Sequence, residues 1–267
     1  MKTSDFLSPA SRALRAAGLL SALFLALALS PAPARAEEPA LTGDHVPTKA
    51  GDLVIHPINH ATLALGWGKA IVYADPVGGA QRFAGLPRPN IILVTDIHGD
   101  HMNAATLQAV SDEKTVIVVP AAVASDKSMT EEIRPRFVIL NNGETKDVQG
   151  LTIEAIPMYN LTPSRAKMHT KGRGNGYVVT FGGTRVYLTG DTEDIPEMRA
   201  LKNIDVAFVC MNQPYTMTVE QASSAVREFR PKIVYPYHYK GSDTAKFKEL
   251  VGDGAGVEVR LRDWYAK

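Results

Sequence analysis

Only one cysteine, Cys210, stands among the 267 residues. That excludes an intramolecular disulfide framework and a cysteine-rich zinc knuckle, so any metal must be held mainly by histidine and carboxylate. An excess of one charge sign is also lacking. Lys and Arg number 29 against 28 Asp and Glu, a formal net charge of +1, and no global basic field points to nucleic acid. Beyond residue 36 there is no apolar run that approaches the ~20 residues of a membrane span. Short-period repeats and low-complexity tracts are missing too. What is present is an ordinary globular composition, 45% hydrophobic and 21% charged, with apolar material for a sizeable core.

The start of the chain has the layout of an export signal. Lys2, Arg12 and Arg15 are followed by the small and apolar run Ala16 to Leu29, by Pro31 and Pro33, and by Ala34-Arg35-Ala36. This order predicts a secretory signal peptide over residues 1–36, cut after Ala36, and a periplasmic or secreted protein. An uncleaved anchor is the alternative, and the run is short for one. No cysteine follows it, so no lipoprotein anchor is expected. Cleavage would leave 25 positive and 27 negative residues, a net of −2.

Residues 37–49 are polar and proline-bearing and read as a short linker, leaving residues 50–267 as one domain. There, short β-like runs mix with helical patterns. Strands are expected at Leu53 to Ile55, Ala61 to Leu65, Ala70 to Tyr73, Ile91 to Val94, Thr115 to Val119, Phe137 to Leu140 and Leu151 to Ile156. A hairpin is expected from Tyr177–Phe181 to Arg185–Leu188 across Gly182-Gly183. Further strands are expected at Val206 to Cys210, Ile233 to Tyr235 and Val257 to Leu261. Helices are expected at Asn103 to Val110 with Asn103 as N-cap, at Val219 to Phe229 with Thr218 as N-cap, and at Thr244 to Val251. Early strands come in hairpins and later ones alternate with helices. That mixture of α/β and α+β character suits two packed sheets flanked by helices.

The chemistry concentrates in Thr95-Asp96-Ile97-His98-Gly99-Asp100-His101, directly after the apolar strand Ile91 to Val94. Asp96, His98, Asp100 and His101 put four potential ligands within six residues at a strand's end, where side chains on a tight turn converge. Imidazole nitrogen and carboxylate oxygen suit zinc, iron or manganese. The plainer alternative is a polar loop with incidental histidines.

This string resembles the metallo-β-lactamase superfamily signature, His-x-His-x-Asp-His. The resemblance extends through Asn59-His60-Ala61-Thr62 before a hairpin, Tyr73-Ala74-Asp75-Pro76 after it, Gly190-Asp191-Thr192 after the strand Val186-Tyr187-Leu188, and His238 after Ile233-Val234-Tyr235. In order and spacing it is most similar to the branch of L-ascorbate-6-phosphate lactonase and N-acyl-phosphatidylethanolamine phospholipase D. It implies the four-layer αββα sandwich of that fold and one or two divalent ions, zinc first and manganese or iron as alternatives. It also implies roles. His98 would bind a first ion, Asp100 and His101 a second, Asp191 would bridge them, and His238 would complete the second site. His169, the histidine between His101 and His238, is the candidate third ligand of the first site; the alternative is a loop histidine near it. One departure stands out: Asp96 occupies the place of the family's first histidine. It can still ligate through oxygen, but it is a harder ligand and adds negative charge, which favours a harder metal or a half-occupied first site. His60 reads as either an outer support of the site or a structural residue, and His45 and His56 have no assigned role.

The implied function is exported metal-dependent hydrolysis, with a metal-acidified water attacking an ester, lactone, amide or phosphodiester and Asp100 also orienting the nucleophile. The fold does not choose among these bonds. Ser164 to Gly176 carries Arg165, Lys167, Lys171 and Arg173 beside His169. This basic loop suits a small anionic substrate, or else is a solvated charged loop. Tyr159, Tyr215, Tyr237 and Tyr239 flank the motifs, where one could donate to an oxyanion or simply pack. Two other classes stay open: a non-catalytic metal- or ligand-binding descendant, kept alive by Asp96, and an iron-dependent oxidoreductase. Against the latter stand the lack of a flavin-like domain and the place of Cys210 within a strand.

Overall fold

The computed structural model describes residues 39–266; the signal-peptide reading of residues 1–36 lies outside them. A first sheet is built, in spatial order, from β1 (Asp44–Thr48), β2 (Gly51–Asn59), β3 (Thr62–Trp67), β4 (Ala70–Ala74), β5 (Ile91–Leu93), β6 (Val116–Val119) and β7 (Phe137–Ile139). A second is built from β8 (Thr145–Val148), β9 (Leu151–Met158), β10 (Gly174–Phe181), β11 (Thr184–Leu188), β12 (Val206–Cys210), β13 (Ile233–Tyr237) and β14 (Glu258–Val259), again in chain order. Each sheet opens with four antiparallel strands and continues with three added in parallel.

The period-2 alternation of strand side chains makes the layers. In β5, Ile91 and Leu93 join a buried cluster containing residues of both sheets, while Ile92 points to the opposite face and packs with Leu107 and Val110. Those two belong to α1 (Ala104–Val110), whose first turn is capped by the Asn103 carboxamide accepting from Thr106 N–H at 2.9 Å. Two short helices, α2 (Ala121–Ala124) and α3 (Pro196–Arg199), come after β6 and β11. The outer face of the second sheet is covered by α4 (Val219–Phe229) and α5 (Thr244–Val251), through Ala222, Val226, Phe229, Phe247 and Val251. Thr218 and Gln221 close a reciprocal capping box at the start of α4. Each fully buried Leu, Ile or Phe contributes roughly 1.5–3 kcal/mol relative to exposure. The result is the helix–sheet–sheet–helix sandwich expected from the sequence.

The departures fall at sheet edges. Asp44–Thr48, inside the stretch read as linker, forms β1, and β8 is likewise an element the sequence pattern does not announce. Each is the outermost strand of its sheet and buries only one side chain, Val46 or Val148. An edge strand with one neighbour needs no hydrophobic alternation, so its sequence stays polar and accepts Pro47. The last strand is shorter than expected, Glu258–Val259.

Candidate metal centre

The parallel strands end on one rim, and the residues just beyond their ends form a single cluster there. Asp75 comes after β4, the segment Thr95–His101 after β5, Asp191 after β11 and His238 after β13. The β2–β3 turn adds His60, and the β9–β10 connection adds His169. His60, Asp75 and His238 all take left-handed backbone conformations, with φ of 54°, 45° and 45°. For residues with a Cβ this costs of order 1–3 kcal/mol each, and it persists only where surroundings over-determine it. Here they do: His60 N–H donates to Trp264 O, His238 N–H to His60 O and Asp75 N–H to Leu93 O.

Two donor groups result. Asp96, His98 and His169 each bring a ligating atom within 4.8 Å of one another, and so do Asp100, His101, Asp191 and His238. Asp191 stands between them. Its Oδ2 lies 3.2 Å from His169 Nε2 and 3.3 Å from His101 Nε2, and its Oδ1 lies 3.4 Å from His238 Nε2. All seven residues expected from the sequence therefore meet in one place, and His169 lies beside Asp96 and Asp191. Buried His101 Nε2 and Asp191 Oδ1 have no hydrogen-bond partner among the described residues. Unpaired buried nitrogen and oxygen donors aimed at a common point fit a divalent cation.

An outer ring holds these groups in place. Asp75 Oδ2 accepts from His101 Nδ1 at 2.8 Å and from the Thr95 hydroxyl at 2.6 Å, while Oδ1 accepts from Thr95 N–H at 2.7 Å. His60 Nε2 lies 3.2 Å from Asp100 Oδ2, and its Nδ1 is 2.7 Å from the Tyr265 hydroxyl. The His60 ring also packs on His238, with centroids 3.8 Å apart. Of the two roles considered for His60, its contacts are those of an outer support. Asp96 is buried and forked: Arg173 Nε donates to Oδ1 at 3.0 Å and Nη2 to Oδ2 at 2.8 Å.

Burial works against each buried charge here, and partners decide the balance. For Asp191 burial pushes upward, but His238 and His101 hold the carboxyl well below the usual range. For Asp100 burial is likewise outweighed, by hydrogen bonds from His238 and His60. Burial favours neutral His101, yet Asp191 and Asp75 on its two sides raise it well above the ordinary histidine value. Burial, joined by the neighbouring His238 and His101, lowers His60 despite its contact with Asp100. Asp96 resists burial and stays low through His98 and Arg173.

A pocket of about 400 Å³ opens over the cluster, lined by His98, Asp100, Met168, His169, Asp191, Asn212 and Tyr215. The basic loop lies at its border, but its charges are largely engaged. Arg165 pairs with buried Glu193, Lys171 with Glu197 at 2.6 Å and Arg173 with Asp96. No ion pair involves Lys167 among the described residues. Of the flanking tyrosines only Tyr215 lines the pocket. The hydroxyls of Tyr159 and Tyr239 donate to Glu197 and Arg262 O, and that of Tyr237 accepts from Gly190 N–H. His45 and His56 bond to Asp52 and Thr42 O, outside the two donor groups.

Sequence reasoning missed Asp75, Glu193 and Tyr265. Asp75 carried a signal, since it ends a strand within Tyr73-Ala74-Asp75-Pro76, and Glu193 lies two residues after Asp191. Tyr265 carried none, because its role comes from the chain's last turn folding beside the β2–β3 turn.

Comparison with known proteins agrees with this architecture. Residues 71–239 match the family model described as beta-lactamase superfamily domain. A UPF0173 metal-dependent hydrolase of Pyrococcus abyssi is 29% identical over 217 residues, 76% of this chain and 93% of the relative. One from Thermococcus kodakarensis is 30% identical over the same shares. Among solved structures, a Parabacteroides distasonis protein assigned by name as a metal-dependent hydrolase is 41% identical. It superposes with a TM-score of 0.75, covering 84% of this chain and 99% of that one. With the sandwich, the rim cluster and these matches in agreement, the chain belongs to the metallo-β-lactamase superfamily, among relatives named UPF0173 metal-dependent hydrolases.

Proposed function

We propose that this protein is a metal-dependent hydrolase of a small-molecule substrate. In this reading Asp96, His98 and His169 would hold one divalent ion and Asp100, His101 and His238 a second, with Asp191 standing between the two groups. The observation that carries it is the pair of donor groups sharing the Asp191 carboxylate, with buried unpaired atoms facing inward. Zinc is the first candidate, with manganese or iron as alternatives. Bound there, such an ion would supply Lewis acidity and lower the pKa of bound water toward ~7. The protein's own residues supply placement. Asp75 orients His101, and His60 orients Asp100 and His238. Among the ligand candidates Asp100 has the most open side chain, 43% exposed, and it lines the pocket. It is therefore placed to accept a hydrogen bond from the attacking water and so orient it.

For substrate class, Met168 and the Tyr215 ring give the pocket an apolar wall beside polar Asn212. With Arg165, Lys171 and Arg173 already paired, recognition of an anion would fall to Lys167 and the ions themselves. This weakens the argument for an anionic substrate, and with it the likeness to the phosphate-bearing substrates implied by the lactonase and phospholipase branch. Esters, lactones and amides become the first bonds to test. Export also remains part of the proposal, resting on residues 1–36, and N-terminal sequencing of exported protein should begin after Ala36.

The test is metal content per chain, followed by turnover of ester, lactone, amide and phosphodiester panels by chelated and reconstituted protein. Turnover that vanishes on chelation and returns with a redox-silent ion supports hydrolysis. Bound iron with oxygen consumption, or ligand binding without turnover, would point to the oxidoreductase or to the non-catalytic descendant.

A further inference from the structure

We propose that Asp96 and Arg173 act as one electrically neutral ligand unit, standing where the resembled signature has a neutral histidine. The proposal rests on the two-ion reading of the metal centre and explains how that centre tolerates its extra carboxylate.

The cluster carries carboxylates from Asp96, Asp100 and Asp191. A histidine in place of Asp96 would leave two. Each further carboxylate in a partly buried site raises the cost of keeping the others ionised and shifts preference toward harder cations. Arg173 removes that excess. Its guanidinium meets Asp96 in a two-point fork, at 3.0 and 2.8 Å, and Asp96 is fully buried. A bidentate arginine stays charged and presents a fixed geometry, so the compensation persists at any working pH.

The backbone shows that the fork is built in. Asn175 N–H donates to Thr95 O at 2.9 Å, joining the start of β10 to the residue before Asp96. Between them Gly174 permits the approach, because an added Cβ would meet Thr95 O at 2.7 Å. Arg173 and Asp96 are thus held opposite each other by their chain neighbours. Arg173 Nη2 also donates to Met168 O, in the loop that carries His169. One side chain therefore neutralises one member of the first donor group and braces the loop presenting another. The second group, Asp100, His101, Asp191 and His238, receives no contact from Arg173.

Arg173 is a positioning and charge-compensating residue in this account, and reciprocal rescue tests it. Zinc and manganese affinities would be measured by chelator competition, with metal content per chain, for the parent, Arg173→Met, Arg173→Lys, Asp96→His and the double variant Asp96→His/Arg173→Met. Arg173→Met should weaken the first site at least tenfold and leave the second within about threefold. Arg173→Lys, which keeps charge without the fork, should recover part of the loss. Asp96→His alone should also weaken the first site, since it strands a guanidinium beside the ion. The double variant should recover to within about threefold of the parent. Losses that simply add in the double variant would overturn the proposal while leaving the metal centre standing. So would a gain of metal in Arg173→Met, which would mean that the guanidinium occupies the ion's place. A parent protein that binds no divalent ion would overturn the metal-centre reading itself, and this proposal with it.

Discussion

Asp75 and His101 face each other at 2.8 Å, both fully buried, and the Asp75 carboxylate is closed off by two further hydrogen bonds from Thr95. Asp75 thus fixes the ring of His101 and aims Nε2 at Asp191. Asp75→Ala would leave the Thr95 N–H unpaired in the interior and His101 Nδ1 with only the Thr95 hydroxyl, 3.0 Å away. We expect a loss of about 3 kcal/mol in denaturant unfolding and a fall of roughly 10–100-fold in metal affinity. Unchanged affinity would show that packing alone holds the ring.

Metal binding should tighten as pH rises from 6 to 8. Burial lowers the pKa of His101, but the carboxylates of Asp191 and Asp75 raise it well above the ordinary value. A cation must therefore displace a proton from Nε2. The sign for stability is separate. A raised histidine stabilises the metal-free fold fully below ordinary histidine pKa, and that contribution fades as pH rises through the folded value. The depressed Asp191 contributes above ordinary carboxylate pKa and loses its share as pH falls. Calorimetric binding in buffers of different ionisation enthalpy should report proton release; pH-independent affinity would contradict this.

The loop from 159 to 173 hangs on Glu193. This buried carboxylate pairs with Arg165 and accepts the N–H groups of Leu161 and Thr162 at 2.7 and 2.6 Å. Glu193→Ala would strand two amides and take from Arg165 its carboxylate partner, leaving its bonds to Thr216 O and the Thr162 hydroxyl, at a cost of about 2–4 kcal/mol. Limited trypsin digestion should then cut near Arg165, Lys167 and Lys171 much faster than in the parent. A loop that stays resistant would assign its order to other contacts.

Gly174→Ala should damage the centre without touching a ligand. The new Cβ would meet Met158 Cε at 2.3 Å, which a flexible side chain can relieve, and Thr95 O at 2.7 Å, which backbone cannot. Separating β10 from Thr95 should cost about 1–3 kcal/mol and weaken metal binding at the group containing Asp96. Chelator competition and thermal unfolding measure the two effects independently.

Cys210 should be inert. It is fully buried, and burial, helped by the charge of Asp191, pushes its thiol up to about 11. Iodoacetamide at pH 8 should label it only after denaturation. Because the raised pKa favours the neutral thiol in the fold, about 2–3 kcal/mol of stability present below pH 9 is lost as pH climbs through about 11. Rapid labelling of native protein would place the thiol at the surface instead.

The amino-acid sequence by itself determined the layers and most of the donor cluster. The strand Ile91–Leu93 announces itself as a short unbroken apolar run because both its faces are buried, and the helix Val219–Phe229 through its one-sided periodicity and its Thr218 cap. Asp96 to His101 were legible because four donors sit on one turn. The tertiary structure alone decided the rest. It showed edge strands β1 and β8, whose pairing leaves only Val46 and Val148 to bury. It brought Asp75, Glu193 and Tyr265 to the rim. It also paired three of the loop's four cations with carboxylates, Lys171 at the surface and Arg165 and Arg173 inward, the last onto Asp96 across 77 positions of chain. Charge partners like these come from distant segments meeting in space, and a distance through space leaves no period or spacing in the sequence.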